Sequence, residues 1–182
     1  GEYFGTFGSY GEGDGQFTSP SGIAIDSQGR IYVSDEHLHR ISVFDAGGRF
    51  LSKFGAPGTQ DGELDTPSGL ALDSQDNLYV ADTYNNRIQK FTADGQFQLS
   101  FGSLDDGNGG LNLPWGVAVD AKQDVYVADW GNDRIQRFSP DGEHLATFGT
   151  SGDGDGEFYR PSGVAVDNDG FIYVSDWGNE RV

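Results

Sequence analysis

The chain writes one unit four times at a fixed spacing. A proline falls at Pro20, Pro67, Pro114 and Pro161, each 47 residues after the one before. An aspartate follows at Asp35, Asp82, Asp129 and Asp176, and an arginine at Arg40, Arg87, Arg134 and Arg181. Phe-Gly pairs close each unit at Phe7-Gly8, Phe54-Gly55, Phe101-Gly102 and Phe148-Gly149. A period of this size marks a repeat architecture, in which neighbouring units bury one another's apolar faces. Residues 1–182 therefore read as one array of similar elements.

The second unit shows the grammar. Ser68-Gly69-Leu70-Ala71-Leu72-Asp73 is a short apolar strand, and Asp73-Ser74-Gln75-Asp76 is a turn. Asn77 to Asp82 is a second strand rich in branched and aromatic residues; Arg87-Ile88-Gln89-Lys90-Phe91 alternates as a half-buried third strand should. Ala93-Asp94-Gly95 is a hairpin turn, and a fourth strand runs from Gln96 to Phe101. No helical periodicity appears. Four antiparallel strands in a unit of this length form the blade of a β-propeller, so the fold class is all-β with about four blades. The small, apolar first strand suits the channel and the more polar fourth strand the outer rim. The long loop between blades and the loop between second and third strands then share one end of the disc, the top face.

Tyr79-Val80-Ala81-Asp82-Thr83-Tyr84-Asn85-Asn86-Arg87-Ile88, Tyr126-Val127-Ala128-Asp129-Trp130-Gly131-Asn132-Asp133-Arg134-Ile135 and the preceding Pro-x-Gly-[ILV]-Ala-[ILV]-Asp resemble the NHL repeat, over essentially the whole chain. The resemblance implies a propeller that usually has six blades and serves as a binding platform, with a minority of relatives being enzymes. Gly1 to Gly8 aligns with Gly48 to Gly55, an opening fourth strand, and Val182 aligns with Ile41 at the start of a third strand. The chain is therefore expected to be an arc of a larger ring, or a ring completed by another chain, with one incomplete blade shared by the termini. Open blade edges favour self-association.

A net charge of −18 opposes binding to nucleic-acid phosphates or anionic lipid. Ten of the 29 acids lie in the long loops: Glu12, Asp14, Asp61, Glu63, Asp65, Asp105, Asp106, Asp153, Asp155 and Glu157. That concentration favours a partner that is cationic, neutral or a divalent metal. The chain has no Cys, which removes disulfides and thiol chemistry, and no apolar run long enough to cross a membrane. It also lacks Met and opens mid-repeat, as expected of a processed chain or a fragment. Acidity with no Cys fits an extracellular or cell-surface setting.

The Asp-x-x-Asn-x-Arg turn recurs in every unit, and an architectural role explains it best. Unit one departs, with Leu38 where Asn is expected inside Glu36-His37-Leu38-His39. The resemblance extends to amidating lyases that hold zinc with three histidines, but only His37, His39 and His144 are present and His144 maps to an outer strand. Calcium is the better metal candidate. Asp153, Asp155 and Glu157 sit on a glycine-rich loop with the hard oxygens calcium prefers, although a glycine-rich hairpin with solvated acids is the stronger reading, since Asp14, Asp61, Asn108 and Asp155 hold one repeat position. Otherwise no cofactor is expected.

Aromatic residues break the repeat on the top face. Trp115 stands where other units have Ser21, Ser68 and Ser162; Trp130 and Trp177 occupy the second-to-third-strand loop. With Tyr84, His37, His39, Tyr159 and Arg160 they form the candidate ligand-binding set, while packing on the next blade competes as a role for Trp130 and Trp177. An aromatic-rimmed acidic mouth suits a protein, peptide or glycan partner. The expectation is a non-catalytic binding or assembly module, with no nucleic acid and no membrane insertion. The alternative is part of a metal-dependent lyase or lactonase-like hydrolase whose ligands lie outside this segment.

Overall fold

A computed structural model of the chain describes residues 5–103 and 109–182. Three complete four-stranded antiparallel sheets follow one another. Blade 1 is Pro20–Ile25, Ile31–Asp35, Arg40–Phe44 and Phe50–Phe54; blade 2 is Pro67–Leu72, Leu78–Asp82, Arg87–Phe91 and Phe97–Phe101. Blade 3 is Pro114–Val119, Val125–Asp129, Arg134–Phe138 and His144–Phe148. Blade 4 contributes its inner hairpin, Pro161–Val166 and Ile172–Asp176, and one bridge from Asp176 to Arg181 where a third strand begins. In each blade the strands pair in sequence order. Of the expected opening strand over 1–8, residues 1–4 lie outside the described residues and 5–8 carry no strand.

The inner strands approach closely because a glycine sits at the same place in each. A Cβ at Gly22, Gly69 or Gly116 would collide with the carbonyl of Ser68, Trp115 or Ser162 on the next inner strand. Between blades lie three apolar clusters. One joins Tyr32, Ile41 and Val43 of blade 1 to Leu70, Leu78, Val80 and Phe91 of blade 2. The next joins Tyr79, Ala81 and Ile88 to Val117, Val125, Val127 and Phe138, and the last joins Tyr126, Ala128 and Ile135 to Val174. The Phe-Gly pair belongs to these joints. Phe54 packs on Phe91 with ring centres 5.1 Å apart and Phe101 on Phe138 at 5.0 Å; Phe7 meets Phe44 in the same way at 5.0 Å. Faces without a described neighbour are open: Ile23 and Ile25 on blade 1, Phe171 and Tyr173 on blade 4.

The end opposite the long loops is clasped by side chains that reach back one blade. Asp76 accepts the Ser27 amide at 2.9 Å and its hydroxyl at 2.6 Å, and Gln123 accepts the Ser74 amide at 2.8 Å. Gly170 holds the corresponding place at the third joint, where a cleft of about 280 Å³ lies between Asp120, Tyr126, Arg137 and Asp167.

Two local features differ from expectation. The turn after each second strand is a short 3-10 helix in blades 2 to 4: Thr83–Asn85, Trp130–Asn132 and Trp177–Asn179. Asn86, Asp133 and Glu180 end these turns in the left-handed conformation, each with φ of 54° or 55°. The long loops are not hairpins either. Ser9–Tyr10 pairs with Gln16–Phe17, and Thr150–Ser151 with Glu157–Phe158, in parallel. The loop therefore winds through a full turn before it re-enters the blade.

Candidate functional site

Beneath the top surface each blade carries a buried carboxylate. Asp82 accepts hydrogen bonds from the Asp65 amide (2.6 Å), Asn85 Nδ2 (2.9 Å), Arg87 Nε (2.7 Å) and Gln89 Nε2 (2.9 Å). Asp129 takes the Asn112 amide, Asn132 and Arg134; Asp176 takes the Tyr159 amide, Asn179 and Arg181. Burial pushes the Asp176 carboxyl up, but the bonds from Asn179, the Tyr159 amide and Arg181 outweigh it and hold it below the ordinary range. The guanidinium ties down the long loop as well. Arg87 donates to the carbonyls of Gln60 and Glu63, and Arg181 to those of Asp153, Gly154 and Glu157. The Asp-x-x-Asn-x-Arg turn is architecture.

A second device joins blade to blade. The left-handed residue that ends each turn accepts the amide of the residue before the next blade's proline. His39 Nδ1 takes Thr66 N–H at 3.2 Å, Asn86 Oδ1 takes Leu113 N–H at 2.8 Å, and Asp133 Oδ1 takes Arg160 N–H at 2.8 Å. The residues that donate these amides are themselves strained into positive φ, at 54° for Thr66, 51° for Leu113 and 57° for Arg160. His39 is therefore committed to a joint. Asp65 lies 3.4 Å from the same nitrogen, which cannot donate to that carboxylate while it accepts from Thr66.

Above this layer the rim varies. Trp115, Trp130, Trp177 and Ser162 line a cleft of about 410 Å³. A smaller hollow of about 100 Å³ adjoins it, bounded by Thr83, Tyr84, Leu113, Trp115 and Trp130. Arg160, from the loop into blade 4, lies 4.7 Å from the Trp130 ring centre and 5.2 Å from that of Tyr159. Trp130 thus packs on the next blade and borders the cleft at once. Trp177 is 61% exposed and Tyr84 60%. His37 lies apart, in a polar cleft of about 300 Å³ with Glu36, Thr18, Ser19 and Thr66. A wider opening of about 660 Å³ lies beside Tyr159, Trp177 and Val182.

Of the candidate residues, the structure gathers Trp115, Trp130 and Trp177, with Tyr84 and Arg160 beside them and Tyr159 one step out. It separates His37 and His39 from that group. His144 lies on the outer strand of blade 3, where its Nε2 meets Gln136 Oε1 at 2.8 Å. Asp153, Asp155 and Glu157 do not converge, and no metal-ligand group of three His, Asp or Glu forms among the described residues. Glu157 Oε2 accepts the Gly154 amide at 2.9 Å, and the loop carbonyls a cation would use face Arg181 instead. Part of the loop acidity is likewise consumed within the chain: Glu63 accepts the Gln60 amide and Asp14 pairs with Lys53 at 2.8 Å. Asp105 and Asp106 lie outside the described residues. Ser162 and Thr83 were absent from the candidate set; their registers, 47 residues from Trp115 and Trp130, are the signal that places them beside those rings.

Comparison with known proteins agrees with this architecture. Residues 58–153, just over half the chain, match the SMP-30/gluconolactonase/LRE-like region, and residues 17–44 and 158–182 match the NHL repeat. The B-box type zinc finger protein ncl-1 of Caenorhabditis elegans is 57% identical over 44 residues, 24% of this chain and 5% of that protein. Protein brain tumor of Drosophila melanogaster is 52% identical over 44 residues, 24% of this chain and 4% of that protein. Among solved structures, a streptogramin B lyase superposes with a TM-score of 0.70 at 18% identity, over 90% of this chain and 50% of its own. Virginiamycin B lyase from Staphylococcus aureus gives 0.68 at 17%, over 87% and 49%. The chain spans about half of those lyases and a small fraction of the two animal proteins, and at such identity the lyases share its fold alone. Repeat, sheet order, the buried Asp–Asn–Arg layer and the family matches concur: the chain belongs to the NHL-repeat β-propellers, with an SMP-30/gluconolactonase/LRE-like central region.

Proposed function

We propose that the chain is a non-catalytic binding module that takes a protein, peptide or glycan on its top face. The observation that carries this reading is the convergence of Trp115, Trp130 and Trp177, from two blades and three separate segments, on one cleft of about 410 Å³. Rigid indole faces supply contact area at little entropic cost, and a volume of this size accepts a side chain or a sugar ring. The lining has no histidine or carboxylate, and the Ser162 hydroxyl is within hydrogen-bond distance of Ser175 Oγ at 3.1 Å, which favours binding over chemistry. A cationic partner gains in addition from the net charge of −18. The open apolar faces of blades 1 and 4 fit another blade of the same pattern, so self-association is part of the proposal.

The test is a panel of immobilised peptides and oligosaccharides, read by tryptophan fluorescence and calorimetry, against the chain and Trp115→Ala. Binding lost by a variant that keeps its melting temperature supports the cleft. Binding unchanged by Trp115→Ala, or a variant that unfolds, assigns Trp115 to packing.

A further inference from the structure

Blade 1 keeps the carboxylate of the buried layer but has lost the side chains that serve it. Leu38 stands where blades 2 to 4 have Asn85, Asn132 and Asn179, and Ser42 where blades 2 and 3 have Gln89 and Gln136. Asp35 consequently takes four backbone amides instead: Thr18 at 2.7 Å, Ser19 at 3.1 Å, His37 at 3.2 Å and Leu38 at 3.0 Å. Its arginine keeps the loop contacts of its counterparts but not the bond to the aspartate. Arg40 spends its terminal nitrogens on the carbonyls of Glu12, Gly13 and Gln16, and makes no ion pair among the described residues, whereas Arg87, Arg134 and Arg181 each place Nε within 2.9 Å of their aspartate.

Two polar atoms are left over. Arg40 Nε and Ser42 Oγ are both buried from solvent and neither has a hydrogen-bond partner. Arg40 is 8% exposed and Ser42 fully buried. A charged N–H and a hydroxyl left unsatisfied in the interior each carry a desolvation penalty, and their blade 2 counterparts, Arg87 Nε and Gln89 Nε2, meet on Asp82 Oδ2. In blade 2 the same spot is filled by the Gln89 amide, which bridges Asp82 Oδ2 (2.9 Å), the Glu63 carbonyl (2.6 Å) and the Gly62 amide (2.9 Å). Serine in place of glutamine removes three heavy atoms there. That is room on the scale of one water, whose share of liquid volume is about 30 Å³.

We propose that blade 1 holds an internal water that stands in for the missing amide, accepting from Arg40 Nε–H, exchanging a hydrogen bond with Ser42 Oγ and donating toward Asp35. Water fits the chemistry better than an anion, because the carboxylate of Asp35 borders the site, and it needs the two to four polar partners this spot provides. The inference is independent of the ligand cleft, which lies on blades 3 and 4.

A crystal structure of the chain that resolves ordered solvent tests it. A solvent peak within hydrogen-bond distance of both Arg40 Nε and Ser42 Oγ is expected. A dry site, or an Arg40 turned to pair directly with Asp35, overturns the proposal. Ser42→Gln should expel that peak and raise the melting temperature by about 2–4 °C, the effect of one added buried hydrogen bond in a chain of this size. A peak retained in Ser42→Gln counts against the water standing in for the amide. Should glutamine not fit, Ser42→Ala, which adds no bulk, should weaken the peak; an unaltered peak there is equally adverse.

Discussion

The buried Asp layer and the rim directly above it are built from the same turn, yet they behave oppositely from blade to blade. At Asp82, Asp129 and Asp176 the partners recur residue for residue, with an amide seventeen positions upstream, an asparagine and an arginine. One residue further along, the turn reads Glu36, Thr83, Trp130 and Trp177. The layer is constrained because every member satisfies a group that cannot reach water. The rim varies in burial as well as in residue: Trp130 and Trp177 border a cleft, whereas Thr83 is fully buried and donates to the Pro114 carbonyl at 2.8 Å.

The sharpest way to break the contrast is Asp129→Ala. Removing a fully buried acceptor strands Arg134 and the Asn112 amide, and a loss of about 3 kcal/mol is expected in urea unfolding. A loss under about 1 kcal/mol would falsify the architectural role. Trp130→Thr copies the Thr83 position into blade 3 and, by removing the stacking of Arg160, should lower the melting temperature by about 1–4 °C. It should weaken any ligand found in the panel above by about tenfold or more, and equal affinity in both forms would remove the cleft from the site.

Acid sensitivity marks a third place, the buried Asp73 that follows the first strand of blade 2 at the opposite end of the disc. Burial pushes the Asp73 carboxyl up, but hydrogen bonds from the Asn77 side chain and amide, the Gln75 amide and Lys90 prevail and hold it below its ordinary value. A depressed carboxylate contributes stability that is complete above the unfolded value near 3.9 and fades as pH falls through the folded one. Asp73→Asn should accordingly flatten the acid limb of the melting curve between pH 5 and the low-pH end, with parallel limbs telling against the assignment. The smallest effect belongs to Gly170→Asn. Its φ of 88° resembles those of Asp76 and Gln123, and a Cβ there meets nothing within 4 Å. Restoring the missing clasp should add roughly 0.5 kcal/mol, near the lower end for a solvent-exposed hydrogen bond, and a lower melting temperature would show the backbone strain prevailing.

The sequence was most legible where chemistry repeats. The strand limits of blade 2 and the Asp-x-x-Asn-x-Arg turn followed from the 47-residue spacing because identical residues recur at each station. The blade-to-blade bond through His39, Asn86 and Asp133 did not, since three different acceptors do the same task and only the left-handed backbone unites them. The loop around Asp153 and Glu157 was ambiguous for a related reason. Composition shows which oxygens are present, whereas the guanidinium of Arg181 decides where they point. Of the aromatic set, Trp115 and Trp130 could be placed near one another by register, but the stacking of Arg160 on Trp130 depends on a long loop whose path no pattern encodes.

The constant offsets carry a consequence for how such a chain changes over time. The buried layer reaches seventeen residues back and the joint between blades twenty-seven ahead, never to a partner fixed elsewhere in the molecule. Duplicating or deleting a whole unit therefore hands each blade an equivalent neighbour and leaves every bond intact, whereas a one-residue slip inside a unit breaks the layer and both adjoining joints together. Length in this design is negotiable in steps of one blade, and in no smaller coin.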